Sequence, residues 1–326
     1  MKVIIPVAGA GTRMQPHTFS VAKSLIPVAD KPVLAHVLDR VAQLDPEHIT
    51  FVIGHLGEQI VEWADEHCPI PHSFVDQPKL LGLGYATLLG LEEMESGPVV
   101  VILGDTVVEG DMRQFVATGD NVVGVCQVDN PTDFGIAELN EGRIVDLCEK
   151  PAHPRSDLAL IGIYAFSDLD PLRETLRRLH MEGRRTRGEF QLTDALQEMI
   201  AAGEVFVPYR FDHWLDCGQP EALLEANRVL LEGLPQPELS AGVKLSHPVY
   251  IARSADVTDS EIGPYARIGE HCVVRNCRIE NSIISDQVRL EDSTLENSLI
   301  GSGALVRHQS GQVNVGKNAV LDGDTN

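Results

Sequence analysis

The sequence predicts an α/β domain over residues 1–234, a Rossmann-like, mostly parallel sheet flanked by helices, followed by a left-handed parallel β-helix over residues 235–326. Three observations carry this reading. Apolar runs of strand length alternate with segments of helical period through the first part, the pattern of a parallel sheet covered by helices. Leu234-Pro235-Gln236-Pro237-Glu238 then reads as a linker stiffened by two prolines. After it, aliphatic residues return every five or six positions, the period of a hexapeptide solenoid.

The elements follow in order. Val3-Ile4-Ile5-Pro6-Val7 is a buried first strand. Pro32 opens a helix in which Val33, Val37, Leu38, Val41 and Leu44 share one face. Residues 49–53 form a strand and 58–67 a helix. A further helix over 85–94 is launched by Gly82-Leu83-Gly84. Residues 99–103 are continuously apolar, as a strand covered on both faces requires. In the second part Ile251, Val257, Ile262, Ile268, Val274, Ile279, Ile284, Leu290, Leu295 and Ile300 point into the prism, with Gly263, Gly269, Gly301 and Gly303 among the residues between. A β-sandwich fits less well, because strict alternation over long strands is missing. The length has room for roughly four coils of three hexads.

Composition narrows the partners. The formal charge is −22 and the pI about 4.8. Nucleic acid and anionic membrane surfaces both need clustered cations, so neither is expected. Six cysteines, none in a Cys-x-x-Cys pair, are scattered through the chain. That distribution suits a reducing cytoplasm. The apolar start is too short for a signal peptide and is broken by Gly9 and Gly11. No run approaches the roughly 18 apolar residues of a membrane helix.

The chemistry concentrates just after the first strand. Gly9 and Gly11 let the backbone turn and approach a ligand. Successive N–H groups of Ala8-Gly9-Ala10-Gly11-Thr12 can form an anion-binding concavity. Arg13 and Lys23 place two cations beside it, which suits a triphosphate or pyrophosphate. A dinucleotide fingerprint fails because Met14 stands where a small residue is needed, and a Walker loop fails because Ala22 precedes Lys23-Ser24. Asp105 follows the buried 99–103 strand, and Asp216 lies in Trp214-Leu215-Asp216-Cys217-Gly218. Two carboxylates with phosphate oxygens make a normal Mg²⁺ site, since Mg²⁺ prefers hard oxygen ligands.

The run from Gly9 to Pro32 resembles the signature of the sugar-1-phosphate nucleotidylyltransferases, Gly-x-Gly-Thr-Arg-Met-x-Pro-x-Thr, then Lys-x-Leu-x-Pro-Val and Lys-Pro. Ala8 departs from the Gly of many members, and members beginning Val-Ala-Gly share it. The resemblance continues through Asp105 and Asp216 as metal-holding aspartates, and through Gln77 as the reader of the base edge. It makes Gly82 the backbone along the base, Glu149 the holder of sugar hydroxyls and Lys150 the holder of the sugar phosphate. Gly135 and Gly162 match positions where backbone passes the sugar, and Arg187-Gly188-Glu189-Phe190-Gln191-Leu192-Thr193-Asp194 matches a further segment. Thr193 or Asp194 could equally cap a helix.

The resemblance covers residues 1 to about 232. It implies that a nucleoside triphosphate and a sugar 1-phosphate give an NDP-sugar and pyrophosphate, with Mg²⁺. The open ends of a short β-helix are usually capped or buried against a copy, so a homo-oligomer is expected. Arg13, Lys23 and Lys150 are then the catalytic cations. Glucose 1-phosphate with dTTP or UTP is favoured. Mannose-1-phosphate guanylyltransferase and N-acetylglucosamine-1-phosphate uridylyltransferase are the alternatives. From other classes come a bifunctional β-helix acyltransferase, with His271 or His308 as base, and a non-catalytic regulatory subunit.

Overall fold

A computed structural model describes residues 1–237 and 242–323. Glu238 of the linker and the terminal Asp324-Thr325-Asn326 lie outside them. By packing, the chain forms two compact units. One comprises residues 1–9 and 36–214, the other residues 10–35 and 215–326.

The first unit is built on a nine-stranded sheet. Its strands are β1 (Lys2–Pro6), β4 (His48–Ile53), β5 (His72–Asp76), β6 (Val99–Ile102), β8 (Asn121–Gln127), β9 (Gly135–Asn140), β10 (Arg143–Glu149), β11 (Leu158–Phe166) and β12 (Val207–Arg210). Between them stand α2 (Gly57–His67), α3 (Leu83–Glu92), β7 (Thr106–Glu109), α4 (Met112–Ala117), α5 (Asp170–Met181) and α6 (Leu192–Ala201). The parallel stretch β6-β1-β4-β5 is the one the alternating pattern predicts. One strand changes the pattern. β11 pairs antiparallel with β6 and β8 and sits beside the β9–β10 hairpin. Glu141 and Gly142 close that hairpin, both at positive φ, the geometry of a tight primed turn. β11 is buried along its whole length, so its sequence has no alternation to distinguish it from a parallel strand. α3 is apolar nearly all round because it is buried among β1, β4, α5 and α6. Gly90 lets it approach, since a Cβ there would stand 2.9 Å from Ile4.

The second unit holds the segment with β2 (Pro27–Val28) and β3 (Lys31–Pro32), helix α7 (Pro220–Glu232), and three parallel five-stranded sheets. Pro32 ends β3, and the helix α1 (Val33–Ala42) starts one residue after it. The three sheets fit a left-handed β-helix of five coils, where about four were expected. The coils are shorter than three hexads. Val243 lies opposite Ser260, seventeen residues on, and Leu299 opposite Asn314, fifteen on. Ile262, Ile268, Val274, Ile279, Ile284, Leu290, Leu295 and Ile300 fill its interior, while Ile251 and Val257 are only partly buried. Corners turn through left-handed backbone at Asp259, Asn276, Asp292 and His308, and again at Tyr265, Asn281 and Asn297. Asn and Asp tolerate that conformation best after glycine. Buried serines tie coil to coil. Ser298 Oγ donates to Glu296 O at 2.8 Å and accepts from Val313 N at 2.9 Å. Among the described residues no helix is long and apolar enough to cross a membrane.

Candidate active site

In the second unit the expected phosphate loop is a chain of short helical turns. Gly11 takes φ 60, and the turn Thr12–Met14 that carries Arg13 begins there. Gly11 must be glycine, because a Cβ would also stand 2.8 Å from Thr18 and 3.2 Å from the Lys23 Cβ. Thr18 Oγ1 closes the loop by donating to Gly11 O at 2.8 Å. Met14 is fully buried beneath it.

Gly218 organises the charges. A Cβ built on it would lie 2.7 Å from Asp216 Oδ1, 3.2 Å from Lys23 Nζ and 3.3 Å from Arg13 Nη2. Two cations and one carboxylate therefore converge on the space that a side chain at 218 would fill. Asp216 Oδ1 is fixed there by accepting from Gly218 N at 3.0 Å. The sequence placed Gly218 beside Asp216 but gave it no role. Its need is for empty space, which no residue type announces.

In the first unit Ala8, Gln77 and Asp105 follow the carboxyl ends of β1, β5 and β6, where such sheets bind ligands, while Gly135 starts β9 and Gly162 lies within β11. Asp105 lies in the turn after β6. Leu103 N donates to Gly162 O at 3.0 Å and Gly104 N to Pro6 O at 3.3 Å. Gly162 takes φ 81 and leaves room for Leu103. Ala8, just past β1, faces Gly54. A Cβ at 54 would lie 2.9 Å from both the Ala8 Cβ and the Ala8 carbonyl oxygen. The methyl that departs from the more common glycine is accommodated by a glycine opposite. Gly9 meets nothing within 4 Å, so its bare face is open and its backbone is not in the left-handed region.

Gln77 is buried. Its N–H continues the β4–β5 ladder to Ile53 O at 2.7 Å, and Nε2 points to Gly82 O at 3.5 Å. Gly82 and Gly84 have a packing reason of their own. A Cβ on either would lie within 2.8 Å of Phe190 O, and Gly84 N donates to that oxygen at 2.8 Å.

The other expected group gathers at the end of the β9–β10 hairpin. Gly135 and Glu149 are cross-strand partners. Thr193 Oγ1 donates to Glu149 Oε2 at 2.9 Å. Thr193 lies inside α6 and makes no cap; the cap position is Gln191, whose side chain makes no capping hydrogen bond. Lys150 takes φ 45, donates its N–H to Phe134 O at 3.0 Å and accepts from Arg187 Nη2 at 2.6 Å. Its side chain is exposed. Arg187 thus holds the Lys150 backbone, a role its motif position did not reveal.

Residues 2–233 match the nucleotidyl transferase family. The chain belongs to that family. A glucose-1-phosphate thymidylyltransferase of Streptomyces griseus is 33% identical over 331 residues, covering 92% of each chain. One of Streptomyces antibioticus is 29% identical over 338 residues, covering 94% of this chain and 93% of that one. A solved structure of UDP-glucose pyrophosphorylase complexed with UDP-glucose superposes with a TM-score of 0.61 at 25% identity, over 72% of this chain and 99% of that one. For a nucleotidyl transferase, Arg13 and Lys23 around Gly218 are suited to polyphosphate oxygens. Asp105 and Asp216 each carry carboxylate oxygens, the donor type a divalent oxygen-loving cation prefers. Among the described residues no group of three or more His, Cys, Asp or Glu is placed to hold a metal ion.

Proposed function

We propose that the chain transfers a nucleotidyl group from dTTP or UTP to glucose 1-phosphate, giving an NDP-sugar and pyrophosphate. The convergence of Arg13, Lys23 and Asp216 on Gly218 carries this reading, and the names of the relatives support the substrates. A sugar-phosphate oxygen attacks the α-phosphorus. A new P–O bond forms as the bond to the bridging oxygen breaks, and pyrophosphate leaves. No general base is needed, because a phosphate monoester with a second pKa of about 6 is already largely dianionic at neutral pH.

Catalysis then rests on placement and charge. Arg13 stabilises the leaving pyrophosphate and Lys23 holds the phosphates. Lys150 takes the incoming sugar phosphate. Glu149, fixed by Thr193, takes sugar hydroxyls, with the backbones of Gly135 and Gly162 along the sugar. Ala8 to Thr12 offer backbone to the nucleotide. Gln77 reads the base edge, its amide able both to donate and to accept, with Gly82 beside it. Members of this family generally use a divalent metal. We assign Mg²⁺ here, with Asp105 and Asp216 as its protein ligands; when bound it neutralises charge on the reacting phosphates.

The residues 1–234 are the proposed catalytic domain and 235–326 the β-helix domain. His271 and His308 occupy left-handed corners of the coils, which supports a structural role for them over acyl transfer. Val320 on the last coil is 72% exposed, which supports a homo-oligomer. The six scattered cysteines, none in a Cys-x-x-Cys pair, support a cytoplasmic location. Assaying the common nucleoside triphosphates against glucose, mannose and N-acetylglucosamine 1-phosphates, with Mg²⁺ and with EDTA, tests the reading. We expect pyrophosphate release with dTTP or UTP and glucose 1-phosphate, abolished by EDTA. Release that is greatest with GTP and mannose 1-phosphate would replace the substrates. Full activity in EDTA would remove the metal.

A further inference from the structure

The loop that carries Arg13 is anchored outside itself. The His17 side chain is buried, with 7% exposure, and its Nε2 lies 2.7 Å from Asn314 Oδ1. Asn314 starts the strand Asn314–Val315 on the fifth coil of the β-helix. An amide oxygen only accepts, so Nε2 carries the proton and donates. Burial lowers the imidazole pKa, opposed by the Asn314 hydrogen bond, so burial favours the neutral ring.

Two further contacts join the same parts. A Cβ at Gly316 would stand 3.2 Å from Pro16 O and 3.3 Å from Pro16 Cβ, so the fifth coil packs its bare backbone on the residue before His17. Asn227 on α7 is fully buried. It accepts from Ala29 N at 2.9 Å and donates to Tyr265 O at 3.0 Å, tying the later part of the segment to a coil corner.

These contacts reach Arg13 by a short route. Thr18, next to His17, closes on Gly11 O, and Gly11 begins the turn Thr12–Met14. We propose that His17 and Asn314 are positioning residues, through which the last coil of the β-helix sets the place of the Arg13 turn and so the rate of nucleotidyl transfer. The rate part rests on the proposed role of Arg13. A displacement of about 1 Å at a reacting group can cost a hundredfold. Asn314 itself is exposed and outside the apolar interior of the coils. Its role is therefore separable from the stability of the β-helix.

The test compares full-length wild type with Asn314→Ala, Asn314→Asp and Gly316→Ala. Asn314→Ala should lower kcat about tenfold while leaving the KM for sugar 1-phosphate and the thermal midpoint unchanged. Asn314→Asp keeps an acceptor and should retain most of kcat. Gly316→Ala must push Pro16 by a few tenths of an ångström and should also lower kcat. Amide hydrogen exchange over residues 11–20 gives a readout independent of turnover. It should be faster in Asn314→Ala and Gly316→Ala, and near wild type in Asn314→Asp. Unchanged exchange in Asn314→Ala would overturn the anchoring. Faster exchange with unchanged kcat would overturn the link to rate. A wild type that turns over no substrate pair would refute the proposed reaction, while the exchange comparison would still decide the anchoring.

Discussion

Arg13, Lys23 and Asp216 meet around a glycine, whereas Glu149 is held by a hydroxyl. In the first group Arg13 and Lys23 sit on short turns, and Asp216 ends β13 (His213–Asp216) just before the loop that carries Gly218 to α7. Its geometry depends on a missing side chain at 218. The second sits at the end of the β9–β10 hairpin and is fixed by one directed bond from Thr193. Phosphate charge is spread over several oxygens, so two cationic tips around one glycine suit it. Sugar hydroxyls are directional, so a carboxylate held on a strand suits them. The two regions should therefore fail differently, the first in rate and the second in substrate affinity.

The largest effect should come from Arg13→Ala. If its partner is the leaving pyrophosphate, kcat falls by about 10²–10³-fold with little change in the KM for sugar phosphate. Lys150→Ala should instead raise that KM most. Steady-state kinetics on both variants checks the contrast, and one shared pattern would erase it. Gly218→Ala comes next. The added methyl would meet Asp216 Oδ1 at 2.7 Å, and that oxygen is held by the Gly218 N–H. Lys23 and Arg13 can swing their tips aside, so the fold should survive and kcat should drop about ten- to a hundredfold. Wild-type turnover in Gly218→Ala would mean that the charges need no shared space.

The contrast also governs what the sequence shows. Arg13, Lys23, Asp105, Glu149, Lys150 and Asp216 stand out in the sequence as proposed site residues because charged residues recur in an ordered set of motifs. The β-helix is legible from its aliphatic period. The coil count was misjudged because steps of five residues shorten the coils. Gly54, Gly104 and Gly218 act by leaving room for a particular neighbour, and a neighbour is a property of the fold. Gly82, expected as backbone along the base, also has a packing reason with Gly84, since the 189–191 segment crowds both. β11 was not separable from its parallel neighbours because it is buried on both faces. Nor could spacing join His17 to Asn314, 297 residues away.

The smallest expected effect isolates the second region. Thr193→Val keeps the shape of the side chain and removes the hydroxyl that donates to Glu149 Oε2. Thr193 is buried, and Glu149 is half-buried, so water can replace the lost donor only in part. A hydrogen bond to a charged group contributes about 1.5–3 kcal/mol, and partial exposure places this one at the low end. Glu149 would keep its strand position but lose its fixed orientation. The KM for sugar 1-phosphate should rise about tenfold, the KM for the nucleoside triphosphate should stay put, and kcat should change no more than about twofold. Thr193→Ser restores the hydroxyl and should restore the KM. Titrating each substrate at saturation of the other reads all three constants. A change confined to the nucleotide KM would move Glu149 away from the sugar and dissolve the distinction between the two regions.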